Sequence, residues 1–140
     1  MCCGCAAAGD RRRPERMPAL AALCLVASGW HVSVPAAEFT LRWTHSIEKI
    51  EWAEDYEIVG EWLHLSRAHI RGSGAGMDPP PGAVLHDGVW SYRVADPWRR
   101  ELVLARSPYV ADYELCVAAQ CRPLSHWIPV DAGVTTLKAC

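Results

Sequence analysis

A chain of 140 residues, 51% hydrophobic and 21% charged, suits one globular domain. Its formal charge of −2 offers none of the basic field that a nucleic-acid binder carries. Seven Trp against one Phe, with ten Gly and ten Pro, point to short strands, many turns and half-buried indole rings.

The N-terminus differs from the rest. "RRRPER" (Arg11 to Arg16) precedes the apolar run "MPALAALCLVASGW" (Met17 to Trp30), and the small-residue exit "VSVPAAE" follows. That order predicts a secretory signal over residues 1–37, cleaved after Ala36 or Ala37. An uncleaved N-terminal anchor is the competing reading, and Met17 is an alternative start. The run is short of the roughly 20 apolar residues of a membrane span. The remaining residues, 38–140, hold 10 basic and 14 acidic side chains and form a single mildly acidic domain.

From residue 38 the chain reads as strand and turn. "EFTLRWTH" alternates, with Phe39, Leu41 and Trp43 on one face. "SIEKIE" is a charged connection. "WAEDYEIV" then places Trp52, Tyr56 and Ile58 on one face, and Gly60 marks a turn. "EWLHLSRAHI" continues with Leu63 and Leu65 facing alike. "RGSGAGMDPPPGA" (Arg71 to Ala83) is too rich in Gly and Pro for regular structure and reads as a long loop. "GVWSYRV", "ELVLARS", "YVADYELCV", "HWIPV" and "VTTLKAC" supply further short strands. The expected fold is all-β, a small antiparallel sandwich or barrel of about seven to eight short strands.

Polar residues at apolar positions are the candidates for function. His45 has the parity of Phe39, Leu41 and Trp43, and Glu54 that of Trp52, Tyr56 and Ile58. Paired as a hairpin, the two strands would turn both side chains toward the core, where a carboxylate needs a partner. His45 and Glu54 are therefore expected as a pair. Three readings stay open: a structural contact that sets register, a ligand or metal site, or catalysis with Ser46. Ser46 has the opposite parity and the chain holds no G-x-S-x-G elbow, which counts against the third.

In the long loop, Gly72, Gly74, Gly76 and Met77 form a candidate binding loop. "GSGAGM" lacks the Lys-Ser/Thr of a phosphate loop, and "DPPPG" follows instead of a helix. Cys116 and Cys121 flank a short connection and are expected to bridge it, with Cys140 as the competing partner. Their spacing lacks the paired C-x-x-C of a zinc site, and His64, His69, His86 and His126 are scattered. No metal and no cofactor are expected. Trp52, Trp62, Trp90 and Trp127 are read as core or rim residues, with an aromatic sugar-binding or amine-binding platform as the alternative.

"FTLRWTHSIEKIEWAEDYEI", then "GSGAGM", then the Cys-bearing end together resemble the domain of unknown function 1850 family. The second segment has Ile50–Glu51–Trp52 where that family often has a Pro-Val step. The resemblance implies a small exported bacterial protein. It is of a kind often encoded beside tripartite ATP-independent periplasmic (TRAP) transporters that use a TAXI-type solute-binding protein. It implies no catalytic roles. The expectation is a non-enzymatic accessory of such an uptake system in the periplasm or cell envelope. Its partners would be transporter components, and it would touch the membrane only through an uncleaved N-terminal segment. The alternative is a stand-alone ligand-binding or metal-binding module using His45 and Glu54.

Overall fold

The computed structural model describes residues 20–45, 49–72 and 79–140. The described chain is all-β and antiparallel, with twelve strands and two short 3-10 turns. One sheet has the order β2-β1-β12-β9, from Trp30–Pro35, Ala22–Ala27, Thr135–Ala139 and Glu101–Leu104. The second runs β11-β10-β3-β4-β5-β7-β6. Its strands are Gln120–Pro123, Glu114–Val117, Glu38–Thr44, Glu51–Val59, Trp62–Arg71, Val89–Tyr92 and Val84–His86, and β8 (Trp98–Arg99) pairs β5 beside β7. Neither sheet closes into a barrel. Their apolar faces meet in one core. Leu23, Leu25, Val34, Leu104 and Leu137 come from the first sheet, and Phe39, Leu41, Leu63, Leu65 and Leu115 from the second. Expected strands divide or shorten in the structure. "HWIPV" instead lies in and beside the 3-10 turns Leu124–His126 and Val130–Ala132, where Pro129 interrupts any ladder.

The structure places part of the expected leader, residues 22–35, in the sheets. These residues are β1 and β2, joined at Ser28–Gly29, where Gly29 has φ 73°. Leu23 and Leu25 are fully buried. The smaller sheet thus includes strands upstream of the expected boundary at 37/38. A short apolar run has the same hydropathy whether it is a signal core or a buried strand. What separates them is the return strand: Val32 and Val34 pair with Leu25 and Leu23 across the "SG" turn.

Two disulfides close the fold. Cys116 and Cys121 sit directly opposite each other on β10 and β11, as expected. Cys140 pairs with Cys24, a residue the leader reading had set aside. The turn between β10 and β11 is Ala118–Ala119, with φ of 51° and 64°. Such left-handed pairs suit the right-handed twist of a hairpin but normally draw Asn or Gly.

β5 carries the irregularity that matters most for function. Opposite β4 its register shifts between Asp55 and Tyr56, so Ser66 is the extra residue of a β-bulge. Leu63 and Leu65 face the core before the bulge; Ala68 and Ile70 do so after it. The bulge therefore turns Arg67, His69 and Arg71 onto the outer face.

Candidate functional site

The register of β3 and β4 tests the expected pair directly. Trp43 lies opposite Trp52, Leu41 opposite Glu54 and Phe39 opposite Tyr56. Glu54 does share the core-side face. Its partner is Tyr56, whose hydroxyl donates to Glu54 Oε2. Burial, then this bond, then the carboxylate's charge push the Tyr56 hydroxyl far above the usual phenol range. Tyr92 is also raised, mainly by burial and then by the charge of Glu54.

His45 lies beyond the end of β3, four positions from Leu41 and so about 13 Å along the strand from Glu54's level. The register separates the expected pair. His45 is exposed. Its N–H donates to the Ile50 carbonyl at 2.9 Å, and its carbonyl accepts from Lys49 N–H at 2.8 Å, closing the turn. Ser46 lies outside the described residues.

One edge of the second sheet gathers three features. Thr44 pairs with Glu51, Glu51 with Arg71 and Arg71 with Val89. The His45 turn, Gly72 and the Asp87–Gly88 turn therefore share that end. Gly72 has φ 101°, and its N–H donates to the Gly88 carbonyl at 3.1 Å. Gly74, Gly76 and Met77 lie outside the described residues. Arg42 bonds Glu51, which also stands 3.7 Å from Arg71, and the Glu51 bond raises the Arg42 pKa. Beside them a pocket of about 260 Å³ is lined by Trp43, His45, Arg106, Val110 and Tyr113.

The polar group behind that pocket is Arg106, whose side chain is 0% exposed. Its Nε and Nη2 donate to the two Asp112 oxygens, both at 2.9 Å. Nη2 also donates to the Ile128 carbonyl, and Nη1 to the Pro129 carbonyl and Thr135 Oγ1. Asp112 in turn accepts the N–H groups of Tyr113 and Ser125. Guanidinium and carboxylate are both saturated by protein groups, so this pair is a clamp. Sequence reasoning passed it over, although Arg106 has the parity of Leu102 and Leu104, the same signal that drew attention to His45.

A second polar chain crosses four strands on the outer face. Thr40 Oγ1 (β3) donates to Asp55 Oδ1 (β4) at 2.7 Å. Asp55 Oδ2 lies 2.7 Å from His69 Nε2 (β5), and His69 Nδ1 lies 2.8 Å from Ser91 Oγ (β7). A carboxylate only accepts, so Nε2 carries the proton; in the neutral ring Nδ1 then accepts, and Ser91 is the donor. His69 keeps 25% exposure and Asp55 37%, so the row is open to solvent. Among the described residues no group of three or more His, Cys, Asp or Glu is placed to hold a metal ion. Trp62 and Trp98 are half-exposed and meet edge to face, with Arg100 stacked 4.1 Å over Trp62.

The family model for the domain of unknown function DUF1850 matches residues 39–124, well over half of the chain. The chain belongs to this family. The matched stretch contains the strands of the larger sheet but for Glu38, the first residue of β3, whereas β1, β2 and β12 lie outside it. No curated protein and no solved structure matches the chain.

Proposed function

We propose that this DUF1850 chain is an exported accessory of a TRAP-type (TAXI) uptake system, contacting its solute-binding protein or permease. An oxidising compartment such as the periplasm fits two disulfides. The contact reading rests on one observation. The Thr44–Glu51–Arg71–Val89 register gathers the His45 turn and the base of the Gly72 loop at one end of the sheet. Half-exposed Val110 and fully exposed Tyr109 lie beside that end and offer apolar contact area. The same register weakens the stand-alone alternative, because it parts His45 from Glu54.

The test is co-elution of the purified chain with the TAXI-type solute-binding protein, or with the permease, of the same genome. Retention of either supports the proposal. Arg71→Glu and Val110→Asp are expected to weaken retention. Val59→Asp, at the far end of β4, is expected to leave it unchanged. Retention of neither component, or equal retention by all three variants, overturns the proposal.

A further inference from the structure

We infer that the outer-face row of Ser91, His69, Asp55 and Thr40 makes Ser91 a nucleophile toward small anionic acyl esters. This activity does not rest on the contact proposed above, although its substrate pocket shares Glu51 and Arg71 with that end of the sheet. A serine hydroxyl is a weak nucleophile unless a neighbouring base takes its proton, and the base works best when a third group fixes its tautomer. All three parts are present. Ser91 Oγ donates to His69 Nδ1, and Asp55 holds the proton on Nε2. Thr40 donates to the other Asp55 oxygen and fixes that carboxylate. Each residue comes from the middle or end of a paired strand, so the geometry is held by the ladder.

The placement depends on the bulge at Ser66. Its hydroxyl donates to the Asp55 carbonyl at 3.0 Å, tying the bulge to the strand that carries the carboxylate. Without the extra residue, His69 would share the core face with Leu63 and Leu65. Bulges commonly re-aim a side chain in this way.

The surroundings define the substrate class. His69, Arg42, Arg71 and Glu51 line one pocket of about 150 Å³, room for a group of a few heavy atoms. Two guanidinium groups share the single Glu51 carboxylate there. Glu51, Asp55 and Glu114 balance the two guanidinium charges, but Arg71 is 62% exposed and stands 3.7 Å from Glu51, so its N–H donors are available to a carboxylate on the acyl group.

The reaction is acyl transfer to Ser91 and then to water. As Ser91 Oγ bonds the ester carbonyl carbon, its proton passes to His69 Nδ1. The adduct collapses, the carbon–oxygen bond to the leaving group breaks, and the leaving oxygen takes that proton. Water then attacks the acyl-serine and gives a proton to His69, which returns it to Ser91 Oγ as the acid departs. Ser91 and His69 are the catalytic residues; Asp55 and Thr40 are positioning residues.

The experiment treats the full chain with a fluorophosphonate ester and locates adducts by peptide mass spectrometry. One adduct is expected, on Ser91, and Ser91→Ala removes it. His69→Gln is expected to slow adduct formation about 100-fold. Thermal unfolding checks that the variant is folded; if it is not, Asp55→Asn replaces it, with the same slowing expected. p-Nitrophenyl hemisuccinate is expected to be hydrolysed faster than p-nitrophenyl acetate, with Arg71→Gln removing the preference. No adduct, an adduct on another hydroxyl, or a Ser91 rate that ignores both His69→Gln and Asp55→Asn overturns the inference. Equal hydrolysis of the two esters overturns the anionic substrate class.

Discussion

The clamp around Arg106 and the row around His69 use similar chemistry to opposite ends. In the clamp, all five guanidinium N–H groups and both Asp112 oxygens are taken by protein partners, and the Arg106 side chain has no exposure. In the row, four strands each lend one side chain, and the proton-accepting end stays within reach of solvent. Saturation and burial mark a polar group that holds the fold. Spare capacity and partial exposure mark one that can meet another molecule.

The sharpest way to break that comparison is to remove one member of each. Arg106→Ala strands a buried carboxylate and is expected to cost about 3–5 kcal/mol in urea unfolding. Equal tolerance of Arg106→Ala and Asp55→Asn would abolish the distinction. Asp55→Asn removes a half-exposed charge-assisted bond and is expected to cost about 1–2 kcal/mol.

Tyr56 and Glu54 form an intermediate case, a buried phenol with a single bond to a half-buried carboxylate, and their signature is alkaline. The folded-state pKa of Tyr56 is raised, so above about pH 10 the unfolded chain sheds a proton that the folded chain keeps. Stability therefore falls as pH rises through that region, by at most about 1.4 kcal/mol per pH unit from this group. Tyr56→Phe is expected to flatten the fall in melting curves from pH 9 to 11. Tyr92 and Tyr113, also raised, leave a residual slope.

The smallest expected effect lies away from both clusters and calibrates them. Replacing Ala119 by Gly relieves a left-handed residue in the β10–β11 turn and is expected to add about 1 kcal/mol. A loss of stability would mean that the turn is held by more than its backbone preference.

Much of the fold was legible from alternation. The faces of β3 and β4, the Gly60 turn and the Cys116–Cys121 bridge follow from residue parity and spacing. The clamp was legible too, because Arg106 continues the parity of Leu102 and Leu104. The row was harder to read. Alternation carried forward from Leu65 assigns His69 to the core, and only the switch from Leu63/Leu65 to Ala68/Ile70 betrays the bulge. The His45–Glu54 pair failed for a different reason. Parity reports which face a side chain occupies, whereas distance along the strand depends on register, and Glu54 settled opposite Leu41. The strand nature of residues 22–35 was hidden because hydropathy alone cannot tell a signal core from a buried strand, and the β12 partner that seats β1 in its sheet lies over 100 residues away.

The Cys24–Cys140 bond joins positions 116 apart in sequence, and the Cys140 N–H also donates to the Ala22 carbonyl. Topologically, the described domain is a ring with one seam. Its two closing residues, Cys24 and Cys140, lie side by side on β1 and β12, the two central strands of the smaller sheet. Reduction would turn the ring back into a linear chain and restore entropy worth about 4–5 kcal/mol to the unfolded state.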